Sequence, residues 1–332
     1  MYKMTNLDYS FIVEEFSSLV GKHFSRIRKL GEGIYRMKVG STEIICEAGV
    51  RLHSTKYLGE AETPDKFVQK VSKELENAKL LSVEQINKDR IVAFNFNKGQ
   101  LVFEMFGHGN ISLVKEGKIV SAMKYESWAG REIKAGAEYK PPPYHPAERI
   151  ELSDKYIVSS LMRLPLGKEY ALEILARAGI SEQKPGQELS KEEVSRIEQG
   201  LDALKKSAKP HLFYKENKPV AFSLVKLSEY SELGSKQLPS LNEAADEYYA
   251  NVERPDPRLE KLQRRLDNQQ KRLLSLSEEE KANRDKGDHI YKSYTEIEKI
   301  LELARAGRFG DIELKYKGKV NKKEKSVEVE VQ

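Results

Sequence analysis

The sequence predicts an α+β protein in four stretches: an antiparallel-sheet N-terminal domain over residues 1–148, a helix-hairpin-helix middle over 149–254, a first coiled-coil arm over 255–306 and a strand-like tail over 307–332. Three observations predict it. Short alternating segments separated by Gly31, Gly33, Gly40 and Gly49 read as successive antiparallel strands. From Leu152 to Ala208 the apolar period becomes helical. From Leu259 onward, leucines keep the a/d spacing of a coiled coil.

The first element is an amphipathic helix from Thr5 to His23, with Phe11, Ile12, Phe16, Leu19 and Val20 on one face and Gly21 near its end. Thr5 and Asp8 have the spacing of a capping box, which gives Asp8 a structural role in the first turn. The runs HFSRIRKL, GIYRMKVG, TEIICEAG and VRLHST follow as strands. Lys22, Arg26, Arg28, Lys29, Arg36 and Lys38 fall on the first two, joined by Arg51 and His53. Pointing outward, they form a basic patch suited to a polyanion, although a plain solvated sheet face explains them equally well. Thr63 and Pro64 read as the cap and first residue of a second helix, with Phe67, Val71 and Leu75 on its buried side.

Gln85 to Val114 reads as three antiparallel strands. Val92, Phe94 and Phe96 share a face, a turn follows at Asn97–Gln100, and Leu101, Phe103 and Met105 resume the alternation. Asp89 and Arg90 stand at the mouth of this meander, where the bland reading is a surface charge pair contributing ~0–1 kcal/mol. Lys118 to Tyr125 forms another strand, and the three prolines at 141–143 end the domain in extended chain.

In the middle, Ser153 caps a helix ending near Leu164, the link Leu164-Pro165-Leu166-Gly167 follows, and a second helix runs to Gly179. Such a hairpin suits contact with a phosphate through free amides, with plain helical packing as the competing reading. Ser190 and Glu193 make a second capping box, and a hairpin spans HLFYK and PVAFSLVKL. Leu259, Leu262, Leu266, Gln269, Leu273 and Leu276, then Ile290, Tyr294, Ile297, Leu301 and Ala304, trace one helix of roughly 75 Å. Glu280, Asn283 and Gly287 are its weakest point, and its seam requires a partner helix.

The 332 residues carry 57 basic and 52 acidic side chains, a net charge of +5, so a polyanionic partner is permitted rather than demanded. A single cysteine, Cys46, excludes a disulfide framework and a multi-thiolate zinc site. The six histidines show no metal-ligand spacing, and no catalytic constellation, cofactor fingerprint or metal motif is found. The start lacks the apolar core of a secretion signal and no run is long enough to span a bilayer, so a cytoplasmic binding module without cofactor, metal or membrane partner is expected.

Taken together, TNLD, GVRLHST, TPDKFVQK, INKDRIV, FGHGNISLV, the run from Gly136 to Pro143 and LNEAADEYY resemble the NFACT family, in that family's order and over nearly the whole chain. The resemblance implies an N-terminal fold like that of the helix-two-turn-helix DNA glycosylases. It also implies ribosome-associated quality control: binding a large ribosomal subunit obstructed by peptidyl-tRNA and recruiting tRNA for untemplated C-terminal tailing of the stalled chain. Asp89-Arg90 matches the family's Asp-Arg motif and Asp8 its aspartate in the first helix, both tied to tRNA recruitment. Arg26, Arg28, Lys29, Arg36, Arg51 and His53 are then candidates for RNA-backbone contacts.

Two departures stand out. Only Pro64 precedes Phe67 where relatives carry several prolines, and the returning arm and C-terminal domains are missing, which implies a portion of a longer protein. The alternatives are a glycosylase-like DNA binder, opposed by the absence of an N-terminal nucleophilic proline and zinc-finger cysteines, and a fibronectin-binding adhesin, opposed by the absence of an export signal. The preferred tRNA and the oligomeric state are left open.

Overall fold

Thr5 and Asp8 close the predicted capping box: the Thr5 hydroxyl accepts from the Asp8 amide at 3.2 Å, and the Asp8 carboxylate accepts from the Thr5 amide at 2.7 Å. The helix they start, α1 (Asn6–Phe16), is shorter than expected. It tightens into a 3₁₀ turn over Ser17–Leu19, where the Ser18 hydroxyl donates to the Glu15 carbonyl at 3.0 Å and so competes with the helical pattern. The computed structural model describes residues 2–128, 130–206, 208–252, 257–316, 319–321 and 326–329. They fall in two units, Met1–Glu253 and Arg254–Gln332.

In the first unit, β1 (Phe24–Gly31), β2 (Ile34–Val39), β3 (Thr42–Glu47) and β4 (Arg51–Ser54) form the expected antiparallel sheet in sequential order. The helix α2 (Lys66–Glu74) is capped by Asp65 rather than Thr63, because the Asp65 carboxylate accepts from the Val68 amide at 2.8 Å; Pro64 thus precedes the helix. A five-stranded antiparallel meander follows: β5 (Leu80–Gln85), β6 (Ile91–Phe96), β7 (Gly99–Glu104), β8 (Asn110–Lys115) and β9 (Lys118–Ala122). Its inner face, with Val92, Phe94, Phe96, Leu101 and Phe103, meets the first sheet across one core in which the rings of Phe24 and Phe96 lie 5.8 Å apart. The outer face is apolar as well. Ile91, Ala93, Val102, Val114 and Ile119 are covered by a hairpin of β10 (Glu126–Trp128) and β11 (Arg131–Ile133) through Ile133.

The helical stretch comprises α3 (Ile157–Met162), α4 (Lys168–Ala178) and α5 (Lys191–Lys206). Ser153 does not cap α3; its hydroxyl accepts from the Lys155 amide at 3.3 Å in a local turn, so the helix starts four residues later. Gly179 ends α4 at φ 67, and Ser190 with Glu193 caps α5 reciprocally at 3.2 and 2.8 Å. The hairpin β12 (His211–Lys215) and β13 (Lys218–Ser223) gains a third strand, β14 (Gly234–Gln237), and α6 (Leu241–Asn251) packs on β13 and β4. Residues 1–148 and 149–252 thus contribute to a single core.

In the second unit the expected continuous helix is broken at Ser293 into α7 (Pro257–Lys292) and α8 (Tyr294–Arg305), while Gly287 stays helical. The seam residues Leu266, Leu273, Leu276 and Ile290 are exposed, and the side chains of Leu259 and Leu262 lie outside those described. The run after Gly310, expected as a strand, is instead the helix α9 (Phe309–Tyr316), because its fully buried Ile312 packs toward α8. The short strands β15 (Lys319–Asn321) and β16 (Ser326–Glu328) pair after it; the end of the expected strand-like tail lies outside the described residues.

The turn at Gly109, between β7 and β8, lies directly against Gly49, between β3 and β4. Gly109 has φ +62, and a Cβ there would sit 2.1 Å from the Gly49 amide nitrogen and 2.4 Å from the Ala48 carbonyl carbon. Gly109→Ala is therefore expected to cost roughly 3 kcal/mol or more in urea unfolding, since backbone has no rotamer with which to yield. Gly107→Ala, at φ +58 with open space around it, should cost only about 1 kcal/mol.

A candidate nucleic-acid interface

Asp8 is fully buried, and its carboxylate is occupied from three directions. It accepts from the Tyr170 hydroxyl at 2.5 Å, from the Tyr2 hydroxyl at 2.9 Å and from the Thr5 amide. Burial raises its pKa above the ordinary carboxylate value, opposed by these hydrogen bonds. No lone pair faces outward, so the aspartate expected to meet RNA is enclosed behind the start of α1. What it does is hold that start in place against α4.

Asp89 and Arg90 occupy a turn between β5 and β6 whose backbone is unusual. Asn87 (φ 54, ψ 21) and Lys88 (φ 56) are left-handed in succession, and neither is glycine. The Gln85 side-chain amide donates to the carbonyls of Asp89 at 2.9 Å and Asn6 at 2.8 Å. The Asn6 amide donates to the Lys88 carbonyl at 3.0 Å and also reaches the Tyr144 hydroxyl and the Asp89 carboxylate, at 3.3 and 3.4 Å. Asp89 is largely buried and accepts from its neighbour's amide, Arg90 N, at 2.7 Å. Arg90 is half-buried; its Nε is itself buried with no hydrogen-bond partner, and its guanidinium has no ion pair among the described residues. Within this pair the aspartate is committed internally, and the arginine carries charge to offer.

The basic face is smaller than the sequence promised. Arg36, Arg51 and His53 are buried, so these three are not at an outward surface. Arg36 lies 3.3 Å from Glu43 and donates to the Gly59 carbonyl. Arg51 pairs with Glu47 at 3.0 Å and lies 4.7 Å from the Tyr249 ring centroid, while His53 stacks on that same ring at 5.4 Å. Burial, aided by the Arg51 charge, pushes the His53 pKa down to about 3, so the ring is neutral. For Arg51 and His53 the cause is α6: Asn242 accepts from the Ser54 amide at 2.6 Å and Asp246 from the Lys56 amide at 2.8 Å, closing the helix over β4. Arg26 and Lys29 stay at the surface in pairs with Glu43 and Glu62, and Arg28 is exposed.

Sequence reasoning missed Tyr2, Tyr170, Asn6, Gln85 and Tyr144, which assemble these features. The one local signal was Asn87, a residue type tolerant of left-handed backbone. Beside the loop, a groove of about 670 Å³ runs between α1 and α5, lined by Leu7, Phe11, Gln85, Lys88, Arg149 and Leu201 among others. Among the described residues no helix is long and apolar enough to cross a membrane, and no cluster could hold a metal ion.

Over residues 6–331 the chain matches the family described as NFACT N-terminal and middle domains. It is 30% identical to the archaeal Rqc2 homolog aRqcH of Methanocaldococcus jannaschii, an alignment covering 92% of this chain and 52% of that protein. With the human ribosome quality control complex subunit NEMF it is 23% identical, covering 94% of this chain and 34% of that one. The chain thus spans about half the length of the archaeal relative and about a third of the human one. The structure of the fibrinogen binding protein from Staphylococcus aureus shares the fold, with a TM-score of 0.62 at 19% identity over 74% of this chain and 98% of that one.

Removing the Asp8 carboxylate leaves two buried tyrosine hydroxyls and an amide without their acceptor, so Asp8→Ala is expected to lower stability by about 2–5 kcal/mol in thermal or urea unfolding. His53 gives a pH dependence. The unfolded chain takes up its proton near pH 6.5 and the folded chain only near 3, so the stability His53 contributes is full above pH 6.5 and is lost as the pH falls toward 3. Urea unfolding between pH 8 and 4 should show this slope, at most about 1.4 kcal/mol per pH unit, and His53→Gln should flatten it.

Proposed function

The chain belongs to the NFACT family, and from that premise we propose that it acts in ribosome-associated quality control. In this reading it binds a large ribosomal subunit obstructed by peptidyl-tRNA and recruits tRNA for untemplated tailing of the stalled chain. The names of the archaeal and human relatives support the process, and the observation that carries the tRNA contact is Arg90, a guanidinium without an ion pair among the described residues, set on a braced turn. The terminal N–H donors of a guanidinium in that state suit a backbone phosphate.

The roles divide as follows. Arg90 takes a phosphate, and Asp89 orients it through the Arg90 amide. Asp8 contributes by fixing the start of α1 rather than by touching RNA, because its lone pairs are used inside. Arg26, Arg28 and Lys29 add phosphate contacts on β1, while Arg36, Arg51 and His53 are withdrawn from that role by burial. In the same proposal, residues 1–148 are the glycosylase-like N-terminal domain, 149–254 the helix-hairpin-helix middle, 255–306 one arm of a coiled coil and 307–332 the start of its tip. The exposed leucines of α7 support a seam awaiting a partner helix.

Binding of tRNA should weaken steeply with salt, at a slope of roughly −0.7 to −0.9 per phosphate contact in a log–log plot. Arg90→Ala should lower affinity about 10-fold and reduce that slope by about one contact, with melting changed by no more than a few degrees. Salt-independent binding, or no binding of tRNA, would overturn the reading. Sequencing RNA crosslinked to the protein in its own cells should return tRNA and large-subunit rRNA.

A further inference from the structure

We propose that Gln85 and Asn6 are positioning residues whose side-chain amides lock the loop from Ile86 to Arg90 in the one backbone path that presents Arg90 to its ligand. The inference rests on the reading of Arg90 as a phosphate-binding group.

Two consecutive left-handed residues bearing a Cβ are disfavoured by sterics; asparagine tolerates the conformation and lysine does so poorly. Left to itself, the segment Asn87-Lys88 would relax to extended or right-handed backbone. Such a relaxation rotates the peptide plane after Lys88 and carries the one after Asp89 along with it, and these are the two whose carbonyls are held from outside. The Lys88 carbonyl accepts from Asn6 at 3.0 Å, and the Asp89 carbonyl accepts from Gln85 at 2.9 Å. The same Gln85 amide donates its second proton to the Asn6 carbonyl at 2.8 Å, so both clamps are referred to the first turn of α1. That turn is itself fixed by the buried Asp8. On the far side, the Arg90 carbonyl accepts from the Met105 amide at 2.7 Å, which pins the residue to the sheet. The direction in which the Arg90 side chain leaves the backbone is thus set by α1 and by β6–β7 together, and Gln85 joins the helix to the loop through both protons of one side-chain amide. A preorganised arginine pays less ordering entropy on binding than one carried by a mobile turn.

The test uses Gln85→Met, which keeps the length of the side chain, adds no charge and removes both donors. The expected result has three parts. Melting stays within a few degrees of wild type. Amide hydrogen exchange at residues 87–90 accelerates about 10-fold or more while β6 and β7 stay protected. Affinity for tRNA falls by roughly the same factor as in Arg90→Ala, with the same loss of salt slope. The double variant Gln85→Met/Arg90→Ala should then lose little beyond either single change, because both remove one contact. A merely structural Gln85 would give losses that add, with the salt slope of Gln85→Met unchanged. Either that result or unaltered exchange in the loop would overturn the proposal. If Arg90→Ala weakens tRNA binding and Gln85→Met does not, the positioning role alone falls; if wild-type protein does not bind tRNA, the functional reading falls and takes this inference with it.

Discussion

A carboxyl group taken into the interior must have its lone pairs occupied, and the way Asp8 meets that demand organises the first unit. Its three donors come from its own cap, from the segment before α1 and from α4. The tyrosine from α4, Tyr170, also accepts from the Leu224 amide at 3.0 Å, which carries the network to the chain just after β13. Tyr2 is bound in turn by α6, through its amide to the Tyr248 hydroxyl and its carbonyl from the Tyr249 hydroxyl, both at 2.9 Å. The N-terminal ends of α1 and α4 meet so closely that a Cβ at Gly167 would lie 2.5 Å from the Thr5 methyl group. Low local dielectric makes each of these bonds costly to break, so segments distant in sequence are committed together.

The same packing decides where charge remains at the surface. Once α6 closes on β4, Arg51 and His53 must be satisfied inside, by Glu47 and the Tyr249 ring, and desolvation keeps the imidazole neutral. Along β1 and β2 the cations stand opposite one another, Arg26 beside Lys38 and Arg28 beside Arg36. Like charges so placed repel, and Glu43 on β3 offsets the repulsion by pairing with Arg26, Arg36 and Lys38 at 2.5, 3.3 and 4.0 Å. On β1 this leaves Arg28 exposed without an ion pair among the described residues, while Arg26 and Lys29 remain at the surface in pairs with Glu43 and Glu62.

The Asp89-Arg90 turn illustrates a general division of labour. The five-stranded sheet, apolar on both faces, has a cover on each: the shared core on one side and the β10–β11 hairpin on the other. Sparsely populated backbone survives at its rim because neighbouring amides over-determine it. Asp89 and Arg90 are adjacent, yet the carboxylate is spent on local geometry and the guanidinium is left without an ion pair. A pair that looks like a surface ion pair in the sequence is joined instead through the Arg90 backbone amide, which donates to the Asp89 carboxylate.

The sequence by itself determined whatever is settled within a few residues: the capping boxes at Thr5–Asp8 and Ser190–Glu193 and the strands bounded by glycines. It also marked Asp8 as structural, through its spacing from Thr5. Where two local caps competed, as with Thr63 and Asp65, the carboxylate prevailed, since it forms the stronger bond to a helix amide. Tertiary structure decided the rest. β14, with four exposed residues and no alternation, exists because β12 offers it an edge, and α9 is a helix because Ile312 finds a buried site beside α8. Gln85 meets Asn6 across 79 positions, and Asn242 meets Ser54 across 188. Such contacts leave no trace in periodicity or spacing, because the chain's local preferences fall off within a turn or two, whereas burial, and with it which charges face water, is a property of the assembled core.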